Sequence, residues 1–236
     1  GLCRIGTDGK LYLHTGVGNL GTYSYAAVVR AAAEVLKVEW DNCEIVRGNT
    51  DLHLPYSTYQ AGSNTMFTEV RTNFVAANDA VRKLKAIAAA DLGGEPDEYD
   101  IDGKQVFRIS NPGQAMTYAQ AAQRAVELGG EYSGEQYPEE LNAVTRRAVE
   151  GLAGTGLIGV AKDSRHTGTV PGTTVGFMQI ELDTLTGKYQ IVDYTAVADC
   201  GTVIHPMGFR QSMNGGGVWG VGLAGYERLV YDPQNG

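Results

Sequence analysis

Two stretches of this chain have residue types and spacing that suit the binding of an anion. The first is Gln60-Ala61-Gly62-Ser63-Asn64-Thr65, which leads from a polar loop into a long apolar-periodic segment. Small and hydroxyl-bearing residues before a helix leave its first N–H groups reachable, at the positive end of the helix dipole. An ordinary capped helix carries the same signature, so both readings stand. The second stretch is Asn214-Gly215-Gly216-Gly217, followed by Trp219, Gly220 and Gly222. Each glycine inside a helix costs roughly 1 kcal/mol relative to alanine. A helix-like segment with so many has a packing or a ligand reason for them. Either a large anionic group approaches the backbone closely, or the segment packs tightly in a glycine-rich core.

Other chemistry is poorly served. His14, His53, His166 and His205 show no metal-ligand spacing. Cys3, Cys43 and Cys200 are far apart and form no Cys-x-x-Cys, so cysteines of this chain bind neither zinc nor an iron–sulfur cluster. They read as three buried free thiols in a reducing compartment. A net charge of −8 argues against a nucleic-acid partner. Arg82, Lys83, Lys85, Arg146 and Arg147 read as solvated charges on helix faces. No apolar run approaches the length needed to span a bilayer, and no secretory signal opens the sequence. Gly1-Leu2-Cys3-Arg4-Ile5 starts in mid-strand and Asp232–Gly236 reads as a loop, so a longer polypeptide is expected.

The elements that must position these stretches follow from periodicity. Leu2–His14 alternates around Asp8-Gly9, a hairpin with a type I′ turn signal. A glycine loop, Thr15–Gly21, leads to an alanine-rich helix over Tyr25–Leu36, and Glu44–Arg47 reads as a short strand. The polar loop Gly48–Gly62 precedes a helix capped by Ser63-Asn64-Thr65 and running to about Ala90. Its apolar face is Phe67, Val70, Phe74, Val75, Val81, Leu84 and Ile87. Ile101–Arg108 is a second hairpin, and Thr117 caps a helix to Leu128, stopped by Gly129-Gly130. Gly134–Ala153 reads as peripheral with a short helix, and Gly168–Gly172 as a loop. Thr174–Leu182 and Tyr189–Ala198 form a long hairpin. Helices and strands are mixed without strict alternation, so the fold class is α+β, with mixed sheets and packed helices. Sub-lobes are expected at roughly 1–92 with 173–236, and at 93–172.

In order and spacing, these residues resemble the C-terminal molybdenum-cofactor-binding portion of the xanthine dehydrogenase/aldehyde oxidase family. The matching pieces are Asp8-Gly9-Lys10 with Thr15-Gly16, the helix ending Ala33-Glu34-Val35-Leu36, and the Asn49–Thr65 loop and helix start. Leu182–Lys188, Val197–Pro206 and Gly215-Gly216 through Tyr231-Asp232 complete the set. The resemblance implies a pyranopterin cofactor carrying one molybdenum, with a cytidine dinucleotide form as one option. It places cofactor contacts at Gly21, Thr22 and Tyr23, at Gln60, Ala61, Gly62, Ser63, Asn64 and Thr65, and at Gln211, Ser212, Asn214, Gly215 and Gly216. Where the family's first loop usually reads Gly-Gln-Gly, this chain has Gly21-Thr22-Tyr23. The Gly-Gln of the third loop falls on Gln211-Ser212.

The implied activity is hydroxylation of an aldehyde or N-heterocycle with oxygen from water. Electrons would leave through iron–sulfur clusters and FAD on partner subunits or domains, or through a cytochrome acceptor. The family's catalytic glutamate would fall beyond Gly236, so no catalytic residue is assigned, and Glu227 matches a structural position. Further partners implied are the rest of the large subunit and a small-molecule substrate. Localisation reads as cytoplasmic, with periplasmic as the alternative. A non-catalytic scaffold that keeps the fold, or a plain α+β domain binding another phosphorylated ligand, would read the same residues differently.

Overall fold

The computed structural model describes residues 1–160 and 171–236. It divides into two units, Gly1–His166 and Thr167–Gly236. His166 and most of the expected loop at Gly168–Gly172 lie outside the described residues.

Unit 1 is built on a four-stranded sheet whose strands lie in the order Cys43–Val46, Leu11–His14, Leu2–Gly6 and Gly156–Val160. Strands β1 (Leu2–Gly6) and β2 (Leu11–His14) form the expected hairpin. Its turn differs from the expected type I′. Only Gly9 is left-handed, at φ 81°, and Gly9 N–H donates to the Gly6 carbonyl. Asp8 keeps an ordinary backbone because its carboxylate accepts from Lys10 N–H and the Tyr12 hydroxyl. The result is a four-residue connection with glycine at the one position that needs it. Strand β3 (Cys43–Val46) adds parallel to β2, after α1 (Ser24–Val35) makes the crossover.

Helix α2 (Thr65–Leu92) lies on this sheet and against α1. Its buried face keeps Leu84 and Ile87 of the expected one, with Val70 and Val81 packed against the core, but departs at two positions. Phe74 and Val75 are exposed, whereas Ala76, Ala77, Ala80, Leu84, Ile87 and Ala88 are fully buried. Small residues let the helix lie directly on β7 (Gly156–Val160). A Cβ on Gly159 would sit 2.4 Å from the Ala76 carbonyl oxygen and 2.9 Å from Cys3 Sγ. Lys83, expected to be solvated, is buried. Its ammonium donates to the Ile158 carbonyl at 2.7 Å and pairs with Asp79 at 2.7 Å.

A second, antiparallel sheet holds β4 (Tyr99–Ile101), β5 (Gln105–Arg108) and β6 (Asn111–Thr117) in order. Thr117 then starts α3 (Tyr118–Leu128) as expected, through a capping box with Gln120. The short α4 (Gly130–Ser133) follows, then α5 (Ala143–Leu152). The segment Gly134–Ala153 is not peripheral. Leu141, Ala148, Val149 and Leu152 form a second core with Leu2, Ile158 and Val160. Strand β7 gives α5 that face, and residues 93–160 join 1–92 through the β1–β7 pairing. Strands β6 and β7 have no counterpart in the sequence reading.

The cysteines also depart from expectation, since only Cys3 is buried. Cys43 is half-buried and Cys200 exposed. Burial, with the Asp79 charge added, pushes the Cys3 thiol up to about 12, so it is an inert core side chain.

Unit 2 is a long antiparallel hairpin, β8 (Thr173–Leu182) and β9 (Tyr189–Asp199), followed by α6 (Pro206–Gly225). The hairpin was legible in the alternation. Its turn is fastened by Asp183, whose carboxylate accepts from Leu185 N–H, Thr186 N–H and the Thr186 hydroxyl. The glycine-dense segment is helical as read. Among the described residues no helix is long and apolar enough to cross a membrane.

Candidate functional site

The two expected loops of unit 1 are fastened to one another. Gln60 reaches back 42 residues and clasps Gly18. Its Oε1 accepts from Gly18 N–H at 2.8 Å, and its Nε2 donates to the Gly18 carbonyl at 3.3 Å. Nearby, Gly16 lies under the second loop, where a Cβ would meet the Pro55 carbonyl oxygen at 2.7 Å and Ser57 Oγ at 2.8 Å. Glycine is required there because backbone crosses backbone. Helix α5 holds the far side, since Tyr56 N–H donates to Thr145 Oγ1 at 3.1 Å. The His53 ring covers Gly151.

Both loops end at helix starts that no side chain caps. At α2, Asn64 occupies the N-cap position, but its side chain is turned elsewhere. Its Oδ1 accepts from Thr58 Oγ1 at 2.9 Å and Thr68 Oγ1 at 3.4 Å. Glu69 is buried and accepts from Thr58 N–H at 3.3 Å, so it serves the loop and not a capping box. The first turn holds no acidic residue. Gly62 and Ser63 are left-handed in succession, at φ 64° and 58°, and a Cβ on Gly62 would meet nothing within 4 Å. Of the two readings of this helix start, the capped one is therefore not what the fold builds. At α1, Tyr23 stands at the N-cap with φ 54° and no side-chain cap. Gly21, at φ 85°, also faces open space, and its N–H donates to Asn19 Oδ1 at 3.0 Å. Thr22 Oγ1 and Ser24 Oγ share a hydrogen bond of 2.6 Å.

Four non-glycine residues among those described have positive φ: Tyr23, Lys37, His53 and Ser63. Lys37 closes the end of α1, where Val38 N–H bonds to the Ala33 carbonyl in a helix-terminating turn. The other three belong to the two loops. Left-handed backbone costs an ordinary residue about 1–2 kcal/mol, so the strain of this unit is concentrated where its helix starts face outward.

In unit 2 the glycine question divides position by position. A Cβ on Gly217 would press into the Tyr194 ring at 2.5 Å, and one on Gly225 would meet the Tyr189 hydroxyl at 2.5 Å. Those two glycines serve helix–hairpin packing. Gly215, Gly216 and Gly220 face nothing within 4 Å. They share the exposed surface of α6 with Gln211, Ser212 and Asn214. His205 caps this helix, accepting from Gly208 N–H at 2.8 Å through Nδ1. Glu227 lies against Gly222 at the other end.

Gly21, Thr22, Tyr23, Ala61, Gly62 and Ser63 are thus exposed at the two joined loops, with Gln60, Asn64 and Thr65 half-buried beside them. The Gln60 amide is committed to Gly18. The fastening role of Gly16, Gly18, Thr58 and Glu69 was not legible, because nothing in local spacing links partners as far apart as Gly18 and Gln60, 42 residues away. No group of three or more His, Cys, Asp or Glu among the described residues could hold a metal ion.

Open backbone at two helix starts is the arrangement of a class of sites in which main-chain N–H groups suit an anionic group. Comparison with known families makes the class specific: all 236 residues match the molybdopterin cofactor-binding domain. The chain belongs to that family, within the molybdenum hydroxylases. It is similar to the 6-hydroxypseudooxynicotine dehydrogenase complex subunit gamma of Paenarthrobacter nicotinovorans, 23% identical over 97% of this chain and 26% of that protein. It is also similar to the aldehyde oxidoreductase molybdenum-binding subunit PaoC of Escherichia coli K12, 23% identical with the same coverage. Among solved structures, CO dehydrogenase from Oligotropha carboxidovorans superposes with a TM-score of 0.74 at 22% identity, over all of this chain and 26% of that one. Quinoline 2-oxidoreductase from Pseudomonas putida 86 gives 0.70 at 22% identity, over 98% and 27%. The chain spans about a quarter of the length of these relatives.

Proposed function

We propose that this chain is the cofactor-holding part of an oxidoreductase that hydroxylates an aldehyde or N-heterocycle with oxygen from water. Its electrons would pass to iron–sulfur and flavin partners. The observation that carries this reading is the pair of uncapped helix starts joined by the Gln60–Gly18 clasp. The residues present fit the group. Gly62 and Gly21 leave room for a bulky ligand, no acidic side chain stands in the first turn of α1 or α2, and the backbone N–H groups there suit phosphate oxygens.

In this reading Ala61–Thr65 and Gly21–Tyr23 hold the phosphate and ring portions of a pyranopterin, in molybdopterin or cytidine dinucleotide form. Thr22, Ser63 and Thr65 offer hydroxyl donors. Gln60 acts by positioning Gly18, and Thr58 and Glu69 set the path of the second loop. Gln211, Ser212, Asn214, Gly215 and Gly216 are proposed as further contacts on the strength of the family pattern. When bound, the cofactor supplies the molybdenum centre at which substrate loses two electrons. The catalytic base is assigned to the remainder of a large subunit and not to Glu227. The relatives named above include subunits of complexes, and this chain is proposed to assemble likewise, in the cytoplasm or the periplasm.

The test is molybdenum content by elemental mass spectrometry on the native complex containing this chain, with fluorescence of released pterin. About one molybdenum per copy is expected. Gly62→Asp, which adds bulk and negative charge at the α2 start, is expected to abolish retention. Normal molybdenum occupancy in that variant would overturn the placement. A wild-type complex without molybdenum, in a host whose other molybdenum enzymes are loaded, would point to the scaffold reading.

A further inference from the structure

The residue that stands out beside these loops is Tyr23. Its backbone is left-handed, at φ 54°, in a position glycine would occupy without strain. Its ring is not buried in return, since the residue remains 45% exposed. Its ring neighbour is Tyr25, with centroids 6.2 Å apart and planes inclined at 46°. Tyr25 in turn carries the Arg47 guanidinium 3.6 Å from its centroid. Arg47, Tyr25 and Tyr23 thus form a row of contacts whose last ring, Tyr23, stays partly exposed. Two residues earlier, Gly21 leaves empty space, and the Thr22–Ser24 hydrogen bond stiffens the turn between them. A strained, aromatic and half-exposed side chain next to open backbone has no folding role that a smaller residue would not serve at lower cost.

The geometry points to Tyr23 as a stacking wall for a planar, nitrogen-bearing aromatic ring bound at the mouth of the joined loops. Every such ring has a π-face that Tyr23 can accept, and the Arg47 charge over Tyr25 polarises the row. Two sources offer this chemistry: the pterin or nucleobase of the cofactor, and a heteroaromatic substrate. The inference rests on the proposed function for the identity of the ring, though not for the presence of the wall.

The experiment compares Tyr23→Ala and Tyr23→Phe in the native complex. Both keep a Cβ on the left-handed backbone, so they share its strain, and thermal unfolding of each confirms the fold. Phe is expected to behave as wild type and Ala to lose about tenfold in binding of the ring. If released pterin and molybdenum per copy fall in Tyr23→Ala alone, the ring is the cofactor's. If both are retained and KM rises about tenfold for quinoline but not for an aliphatic aldehyde, the ring is the substrate's. A folded Tyr23→Ala complex with unchanged cofactor content and unchanged KM ratio overturns the inference. A wild-type complex without pterin sinks the proposed function instead. The wall is then decided by fluorescence titration with 6-carboxypterin. Binding weakened about tenfold by Ala and not by Phe supports it, and equal binding or none overturns it.

Discussion

His14 closes β2 just before the first loop, and it is 3% exposed, with the Leu52 and His53 backbone beside its ring. Burial holds its pKa down at about 4, and the Arg4 charge on β1 adds to this. The Leu52 and His53 backbone pulls weakly the other way, and the His53 ring opposes a second charge. The sign follows from proton binding. Between about pH 6.5 and 4 the unfolded chain protonates this imidazole and the folded chain does not, so stability falls as pH falls through that interval. At 1.36 kcal/mol per pH unit, the interval is worth about 3 kcal/mol. Denaturant unfolding at pH 7.5 and pH 5 should show a smaller acid loss in His14→Leu than in wild type. Equal losses would show that the imidazole is solvated or paired. Little of this was legible in the sequence, where a lone histidine after Leu13 reads as surface or core. Tyr23 was legible as a departure from the family's glycine, but its strain and exposure needed the backbone.

Among the elements, α2 shows why patterning alone misplaced part of a helix face, though Leu84 and Ile87 are buried as read. Phe74 and Val75 read as core, yet alanines occupy the contact because Gly159 and Ala76 bring β7 and the helix backbone close together. Lys83 pins that contact. Asp79, whose side chain is 19% exposed, pairs with Lys83 and Arg82 and accepts from Val160 N–H at 3.2 Å. Asp79→Ala should cost about 3–5 kcal/mol, because it leaves a buried ammonium with only the Ile158 carbonyl. Lys83→Met keeps the volume and leaves Asp79 with Arg82, so it should cost clearly less. Urea midpoints would check the order, and the reverse order would show that the ammonium reaches water. The cap at Thr117 was legible as a threonine ahead of an alanine-rich run, and the structure adds Gln120 as its capping-box partner. Thr117→Ala should cost about 1 kcal/mol by the same measurement. Strand β7 was not legible: Gly-Leu-Ile-Gly-Val is buried along its whole length and shows no alternation.

At the scale of the whole molecule, the two units differ in how they use apolar residues. Unit 1 buries its large side chains in two cores. Unit 2 leaves Phe177, Ile180, Trp219, Leu223 and Tyr231 largely exposed, with Trp219 at 80%. A long hairpin and one helix enclose too little volume to cover both their faces. Large apolar side chains left exposed in this number are the makings of an interaction face. The sequence showed the alternation of the strands but could not show how little of either face α6 would cover, because burial is a property of the assembled fold. If the chain is part of a large subunit, as proposed, that surface is interior in the complete protein. Trp219 then has a testable environment. In the isolated chain its fluorescence should be quenched readily by acrylamide. In the complete complex, read through the difference between wild type and Trp219→Phe, it should be protected and shifted to shorter wavelength. Phe177→Lys should then hinder assembly of the complex, since a charge placed in a desolvated interface costs several kcal/mol, while improving the solubility of the isolated chain. Equal quenching of Trp219 in both forms, with normal assembly of Phe177→Lys, would show that this face meets water in the complete protein. Gly217 and Gly225 would keep their packing role against Tyr194 and Tyr189, and Gly215, Gly216 and Gly220 would be left to explain by ligand contact.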